Sequence, residues 1–353
     1  MSSIRHAGGA VLAALLLVAF TAAPVLACGG LIGPNGAVNL LRTTTLAGYH
    51  DGVEHYITSF EFAGGGGAFG SLTPLPGVPT SVEKGGDWTL QRLRLETEPQ
   101  DLLLRSSTVG AESAAPSAQV LMEVTIDALD ITVLRGGADE VGTWAKDHGF
   151  RLPPDAPEVL EFYAARSQIF LAAAFDGEAA AARGQNVGDG TPVHITIPTE
   201  NPWVPLRILA LGKTGSEVVE ADVYLLTDIA PAMLPAPDGF NGMTLDHSRR
   251  ASDALLADLR SDRGMEWVPQ EAWLTKIGLD GEAAKFGYDL AIDASGANAP
   301  SRIAAGLDLP GAADPTISAA LRWLATVAFL VASLGSILFV VTRRPTDGGL
   351  RPA

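Results

Sequence analysis

The chain has 353 residues, a formal net charge of -16, 47% hydrophobic residues and one cysteine. That much acidity repels a phosphate backbone, so a nucleic-acid partner is not expected. A single cysteine rules out a disulfide within the chain, and a body of roughly 290 residues is long enough to be stabilised by its core alone, as one unit or two.

The N-terminal stretch MSSIRHAGGAVLAALLLVAFTAAPVLA has Arg5 and His6, an apolar core from Ala10 to Phe20 and small residues at Val25 and Ala27. This pattern predicts a secretory signal peptide over 1–27, its apolar core too short to span a bilayer. Cys28 follows directly. Val25, Leu26, Ala27 and Cys28 loosely match a lipobox, which leaves lipidation of Cys28 open, although Pro24 and Leu26 fit that motif poorly. Ordinary cleavage leaves it a bare thiol. Its glycine neighbours offer no cation to activate it as a nucleophile.

AVNLLRTTTLAGY (37–49) and GVEHYITSFEF (52–62) flank Asp51-Gly52, a strong signal for a β-hairpin. His50, Asp51, Glu54 and His55 cluster at its turn and are candidate metal ligands, but alternation along a strand points His55 away from Glu54. A strand is expected near Phe69 to Leu75, and then an extended Gly/Pro loop to Trp88. Gly65, Gly67 and Gly70 satisfy G-x-G-x-x-G, yet Ser71-Leu-Thr-Pro-Leu-Pro cannot form the helix that a dinucleotide site requires.

AQVLMEVTIDALDITVLRGG (118–137) reads as one long strand or a hairpin. Helices are predicted over 138–150, with Val141, Trp144, Ala145 and His148 on one face, and from about Pro157. QIFLAAAFDG, VHITIP, LRILALG and EVVEADVYLLTD read as strands; SRRASDALLADLRSD (248–262) reads as a helix capped by Ser248, and KFGYDLAIDA (285–294) as a last strand. His148 and His194 stand isolated in sequence. Asp238, Asn241 and Asp246 lack the spacing of a calcium loop.

Residues 295–316 are rich in Ala, Gly and Pro and read as a linker. WLATVAFLVASLGSILFVVT, Trp323 to Thr342, carries no charge and is long enough to cross a membrane as a helix. Arg343 and Arg344 then place the 343–353 tail in the cytoplasm. The expected arrangement is a signal peptide (1–27), an extracytoplasmic α+β domain (28–294), the linker (295–316), a transmembrane helix (317–342) and the tail (343–353). The ectodomain is expected to be β-rich and antiparallel with inserted helices.

These pieces resemble a bacterial membrane-anchored family designated domain of unknown function 2330. The resemblance rests on Ala27 to Gly30, Phe69 to Pro76, Thr143 to Tyr163 and the VPLRILA stretch at 204–210. It implies a cell-surface location and assigns no catalytic residue. Similar proteins often carry a second cysteine shortly after the Gly-Gly pair, where this chain has Gly33.

One enzymatic alternative can be read from the residues. Ser81-Val-Glu-Lys84 matches S-x-x-K and Lys213-Thr214-Gly215 matches K-T-G, as in penicillin-recognising serine acyl-enzymes. Ser81 would be the nucleophile, Lys84 would lower the cost of removing its proton, and Lys213 would face them from a strand. Gly85 and Gly86 argue against the helix that this needs, and no S-D-N element is present. The favoured expectation is a non-catalytic binding or scaffolding ectodomain, without cofactor or metal, held to the lipid bilayer by its C-terminal helix. Its partner would be an extracellular protein or envelope ligand, met on the Gly70 to Trp88 segment.

Overall fold

The computed structural model describes residues 30–34, 36–37, 42–60, 68–98, 120–176 and 191–309. Two sheets pack face to face between two pairs of helices. A six-stranded sheet runs in the order β2 (Gly36–Ala37), β1 (Gly30–Gly33), β5 (Phe69–Leu75), β9 (Ile169–Phe175), β8 (Leu129–Arg135), β7 (Val120–Ile126). A seven-stranded sheet runs β14 (Met243–Arg250), β15 (Trp273–Glu282), β12 (Val218–Thr227), β3 (Arg42–His50), β4 (Val53–Phe60), β10 (Thr191–Pro198), β6 (Ser81–Lys84). A small sheet, β11 (Trp203–Val204), β16 (Leu290–Asp293) and β13 (Ala232–Leu234), lies at one end.

The period-2 pattern of the strands divides the apolar residues between two cores. On the seven-stranded sheet Val193, Ile195, Ile197, Ala221, Val223, Leu225 and Ile277 face inward and join Leu31, Phe69, Ile131, Val133 and Leu171 of the other sheet in one large cluster. Alternate positions, Leu46, Ile57, Tyr224, Leu226 and Leu274, face the other way. They are covered by α1 (Thr89–Thr97) and α4 (Asp253–Ser261) through Leu93, Leu255, Leu256 and Leu259. Helices α2 (Ala138–Asp147) and α3 (Ala156–Ala164) cover the outer face of the six-stranded sheet, where the Phe150 ring lies so close to Gly70 that a β-carbon there would sit 2.8 Å from it.

The β3–β4 hairpin turns on Asp51 (φ 49°) and Gly52 (φ 77°), both left-handed, as a two-residue primed turn demands. The 118–137 stretch resolves as a hairpin, with Asp127 at φ 53° in its turn. Helix α2 buries Val141, Trp144 and Ala145 as its spacing predicts, and Gly149 (φ 77°) follows its end.

Several expectations are corrected. The fold is not purely antiparallel, because β12 lies parallel to β3 over eight register pairs. Between these two strands the chain adds β4, β6 and β10 to the same sheet and lays down β5, β7, β8 and β9 of the other one. Nor is a membrane helix part of the described fold: no helix of the described residues is long and apolar enough to cross a bilayer. Trp323 to Thr342, like Cys28 and residues 1–27, lies outside the described residues. Finally, 207–210 forms a 3-10 helix instead of a strand. The Leu206 and Arg207 backbone N–H groups are drawn onto the Asp289 carboxylate at 2.6 and 2.9 Å, which a strand ladder would not allow.

Further along, α4 is capped by Ser252, whose Oγ accepts from the Leu255 N–H at 3.2 Å, while Ser248 belongs to β14. In the stretch read as a linker, Ala304, Ala305 and Leu307 are buried in the main core.

Candidate functional site

The end of the molecule carrying the small sheet gathers the strongest concentration of buried charge beside open clefts. Helix α3 ends near Arg166, whose guanidinium is 2% exposed and pairs with Asp289, itself fully buried just before β16. Tyr163 donates its hydroxyl to Asp289 Oδ1 at 3.0 Å and accepts from the Ile208 N–H at 2.8 Å. Arg166 also donates to the Ala304 carbonyl. Its guanidinium carbon lies 4.4 Å from the ring centres of both Phe162 and Trp203. Four segments distant in sequence are thus tied to one ion pair: α3, the 3-10 turn, β16 and the 301–307 turn. The Arg166 Nε, by contrast, has no hydrogen-bond partner among the described residues. Breaking such a buried pair is costly, since either partner alone would be an uncompensated charge.

Two clefts open here and share Asn201 and Ser301 as walls. One, of ≈ 190 Å³, is bordered by Tyr49, Glu200, Pro202, Asp293 and Ser295 and is acidic. Glu200 and Asp293 both act on Tyr49 and, behind the larger effect of burial, help hold its hydroxyl protonated to higher pH. The other, of ≈ 230 Å³, is bordered by Pro76, Arg166, Thr199, Trp203 and Ile303, with Ile303 59% exposed at its rim.

At this end of the inter-sheet core lies Glu54, fully buried and level with Tyr49 in the β3–β4 ladder. Neither carboxyl oxygen has a properly formed hydrogen bond among the described residues. Desolvation pushes its pKa up to about 8, and the Trp203 backbone N–H, facing it at looser geometry, opposes the shift without cancelling it. The carboxyl is neutral at pH 7 as a consequence.

The other residues singled out in the sequence separate. Glu54 points inward and His55 outward, as alternation requires. His50 pairs with Asp228, its Nδ1 2.7 Å from Asp228 Oδ1. His55 instead meets His194, Nδ1 to Nε2 at 3.0 Å. Among the described residues no three His, Cys, Asp or Glu side chains are placed to hold a metal ion. Ser81 and Lys84 lie three apart on β6 and so face opposite sides of the sheet; Ser81 Oγ donates to Thr196 Oγ1 at 3.2 Å, while Lys84 pairs with Asp127. Lys213 sits in the turn after the 3-10 helix, its N–H donating to the Ala210 carbonyl at 3.0 Å, not on a strand beside Ser81. The acyl-enzyme constellation is not assembled. Of the Gly70 to Trp88 segment, Pro76 borders a cleft.

Arg166, Asp289 and the pairing of His55 with His194 carry no local sequence signal, because each partner comes from a distant element. Residue type was the one available hint: Asp289 stands between aromatic and apolar residues in KFGYDLAIDA, where an unpaired carboxylate would be costly.

The fold and clefts define a double-sheet α+β body with a polar recess at one end. The chain belongs to the family described as "Uncharacterized protein conserved in bacteria (DUF2330)", whose model matches residues 23–233. That match stops short of the apolar segment near the C-terminus. No curated protein matches the chain. Among solved structures it is similar to baculovirus P35, at 10% identity and a TM-score of 0.36 over 73% of this chain and 92% of that one. It is also similar to P35 in a caspase-8/P35 complex, at 10% identity and a TM-score of 0.34 over 72% and 90%. Likenesses this distant carry no argument about what the chain does.

Proposed function

We propose that the chain is an exported binding protein that takes an extended polypeptide segment across the two joined clefts and performs no covalent chemistry on it. The observation that carries this reading is the shared wall: Asn201 and Ser301 border both recesses. Side chains projecting to one side of an extended peptide recur about every 7 Å, the spacing of two residues along a strand. Neighbouring recesses of this kind suit two such side chains. The Glu200 and Asp293 side favours a basic one, and the Ile303 rim with the Pro76 wall favours an apolar one. The floor is held by the Arg166–Asp289 pair, so little ordering is left to oppose binding. Export rests on the leader-like residues 1–27.

Selection of a displayed peptide library on the purified full chain tests the reading. Enriched peptides should carry a Lys or Arg two residues from an apolar residue, and Glu200→Lys should weaken them at least tenfold by fluorescence anisotropy. A library that enriches equally on wild type and on an Asn201→Trp, Ser301→Trp double variant, with both clefts filled, would sink it.

A further inference from the structure

A second constellation lies on the opposite face of the seven-stranded sheet, toward α1 and α4, and the cleft reading does not use it. Three adjacent strands present a row of side chains there. In the ladder Glu83 of β6 stands opposite His194 of β10, and His55 of β4 stands one diagonal step away, opposite Thr196. Residues paired across a ladder share a face, so Glu83, His194 and His55 all project to this side.

We propose that His55 and His194 form a two-imidazole site for a divalent transition-metal ion, with Glu83 as the carboxylate ligand that closes over it. The His55 Nδ1 and His194 Nε2 atoms are 3.0 Å apart. Two nitrogens bound at about 2.0–2.1 Å in a tetrahedral centre lie roughly 3.3 Å apart, so a separation of a few tenths of an ångström admits the ion in place of the shared proton. Imidazole and carboxylate together suit zinc, nickel and copper.

The ring positions are fixed in advance. His55 stacks on Trp267 with centroids 4.0 Å apart and planes 3° from parallel. Trp267 in turn fills the space over Gly48, where a β-carbon would lie 2.0 Å from the indole. His194 is 6% exposed and faces Gly264, where a β-carbon would come within 3.4 Å of its Nδ1. Burial lowers the pKa of both rings, that of His55 to about 3 with help from His194 and His50. A neutral imidazole carries one N–H and one lone pair, so binding exchanges the proton shared between the two facing nitrogens for the ion. Glu83 and Glu266 add negative potential at His194. No third ligand is in place among the described residues. Glu83 is exposed and stands opposite His194 in the ladder, the side from which its carboxylate would approach.

Chelator-treated full-length protein titrated with Ni(II), Zn(II) and Cu(II) in a calorimeter tests the site. One ion should bind per chain. The conservative variants His55→Gln and His194→Gln, which keep a polar group facing the remaining ring, should each weaken binding at least tenfold. Glu83→Gln should weaken it several-fold, and His50→Ala should leave it unchanged. Cu(II) paramagnetic resonance should show coupling to two imidazole nitrogens in wild type and to one in either Gln variant. Circular dichroism without metal confirms that each variant is folded; a variant that fails is replaced by the Asn variant at the same position. Absence of saturable binding, binding untouched by the double Gln variant, or a spectrum without nitrogen coupling overturns the proposal. In that case the pair is a hydrogen bond within the fold and nothing more.

Discussion

At the scale of single residues, Glu54 departs furthest from what its type usually does, and its protonation sets a pH dependence. Its folded pKa, about 8, lies above the ordinary value of 4.5. Below pH 4.5 both the folded and unfolded forms are protonated and the group is neutral in its effect. As pH rises from there toward 8, the unfolded chain loses the proton while the folded one keeps it, so stability falls. At pH 7 the loss is on the order of 3 kcal/mol, from 1.36 kcal/mol per unit of displacement. Glu54→Gln removes this dependence: urea unfolding at pH 5 and pH 7.5 should show wild type losing stability across that interval and the variant changing much less. Arg166 and Asp289 matter as a pair. Asp289→Ala should cost about 3–5 kcal/mol by leaving the guanidinium buried alone, whereas the double replacement Arg166→Met, Asp289→Leu should cost clearly less than the single one. Denaturant midpoints for the three chains check this.

At the scale of elements, helix α1 is held by a carboxylate from elsewhere in the chain. The Asp87 and Trp88 N–H groups each donate to Asp262 at 3.1 Å, and the Thr89 hydroxyl donates at 2.7 Å. Gly86 lets it approach, since a β-carbon there would lie 2.2 Å from Asp262 Oδ2. The oxygens satisfy donors at the start of the helix and lie at the positive end of its dipole. Asp262→Ala should therefore cost about 2–3 kcal/mol, more than the ~1 kcal/mol expected for the ordinary cap in Ser252→Ala. Hydrogen exchange should show α1 opening first in the Asp262 variant.

Elements set by local chemistry were legible in the sequence. The Asp51-Gly52 hairpin, β5 at Phe69–Leu75, helix α2 with its Val141, Trp144 and Ala145 face and the last part of KFGYDLAIDA all follow from turn residues or periodicity. Elements set by distant partners were not. Strand β15, WLTKIGLDGE, contains two glycines and three charges, yet it lies between β12 and β14, where Lys276 is buried against Asp222 at 3.2 Å. Helix α1, TLQRLRLET, owes its start to Asp262, and β6 owes its place to β10. Of the candidate site, Glu54 and His55 were visible as residues, and their facing apart was visible in the alternation. That His55 would meet His194 depends on the β4–β10 register, which no local signal gives.

At the scale of the whole molecule, the seven-stranded sheet is assembled from both ends of the described chain. Strand β12 is clasped on one side by β3 and on the other by β15 along ten register pairs. The family match ends at residue 233, before β14, α4 and β15. A fragment cut there would bare a ten-residue edge of a central strand and strip Leu46, Ile57 and Tyr224 of α4, one of the two helices that cover them. Expressed alone, 23–233 should be recovered aggregated, and extending it to residue 309 should restore a cooperative thermal transition.

The parallel seam between β3 and β12 also has a consequence in time. During synthesis β3 emerges with one flank already zipped to β4 and the other flank bare, and that bare flank must wait until the ribosome has delivered residues 218–227. Throughout the wait, any stray extended peptide could occupy the vacancy. A cell making this protein thus has reason to keep the nascent chain in the grip of a chaperone until its second half arrives.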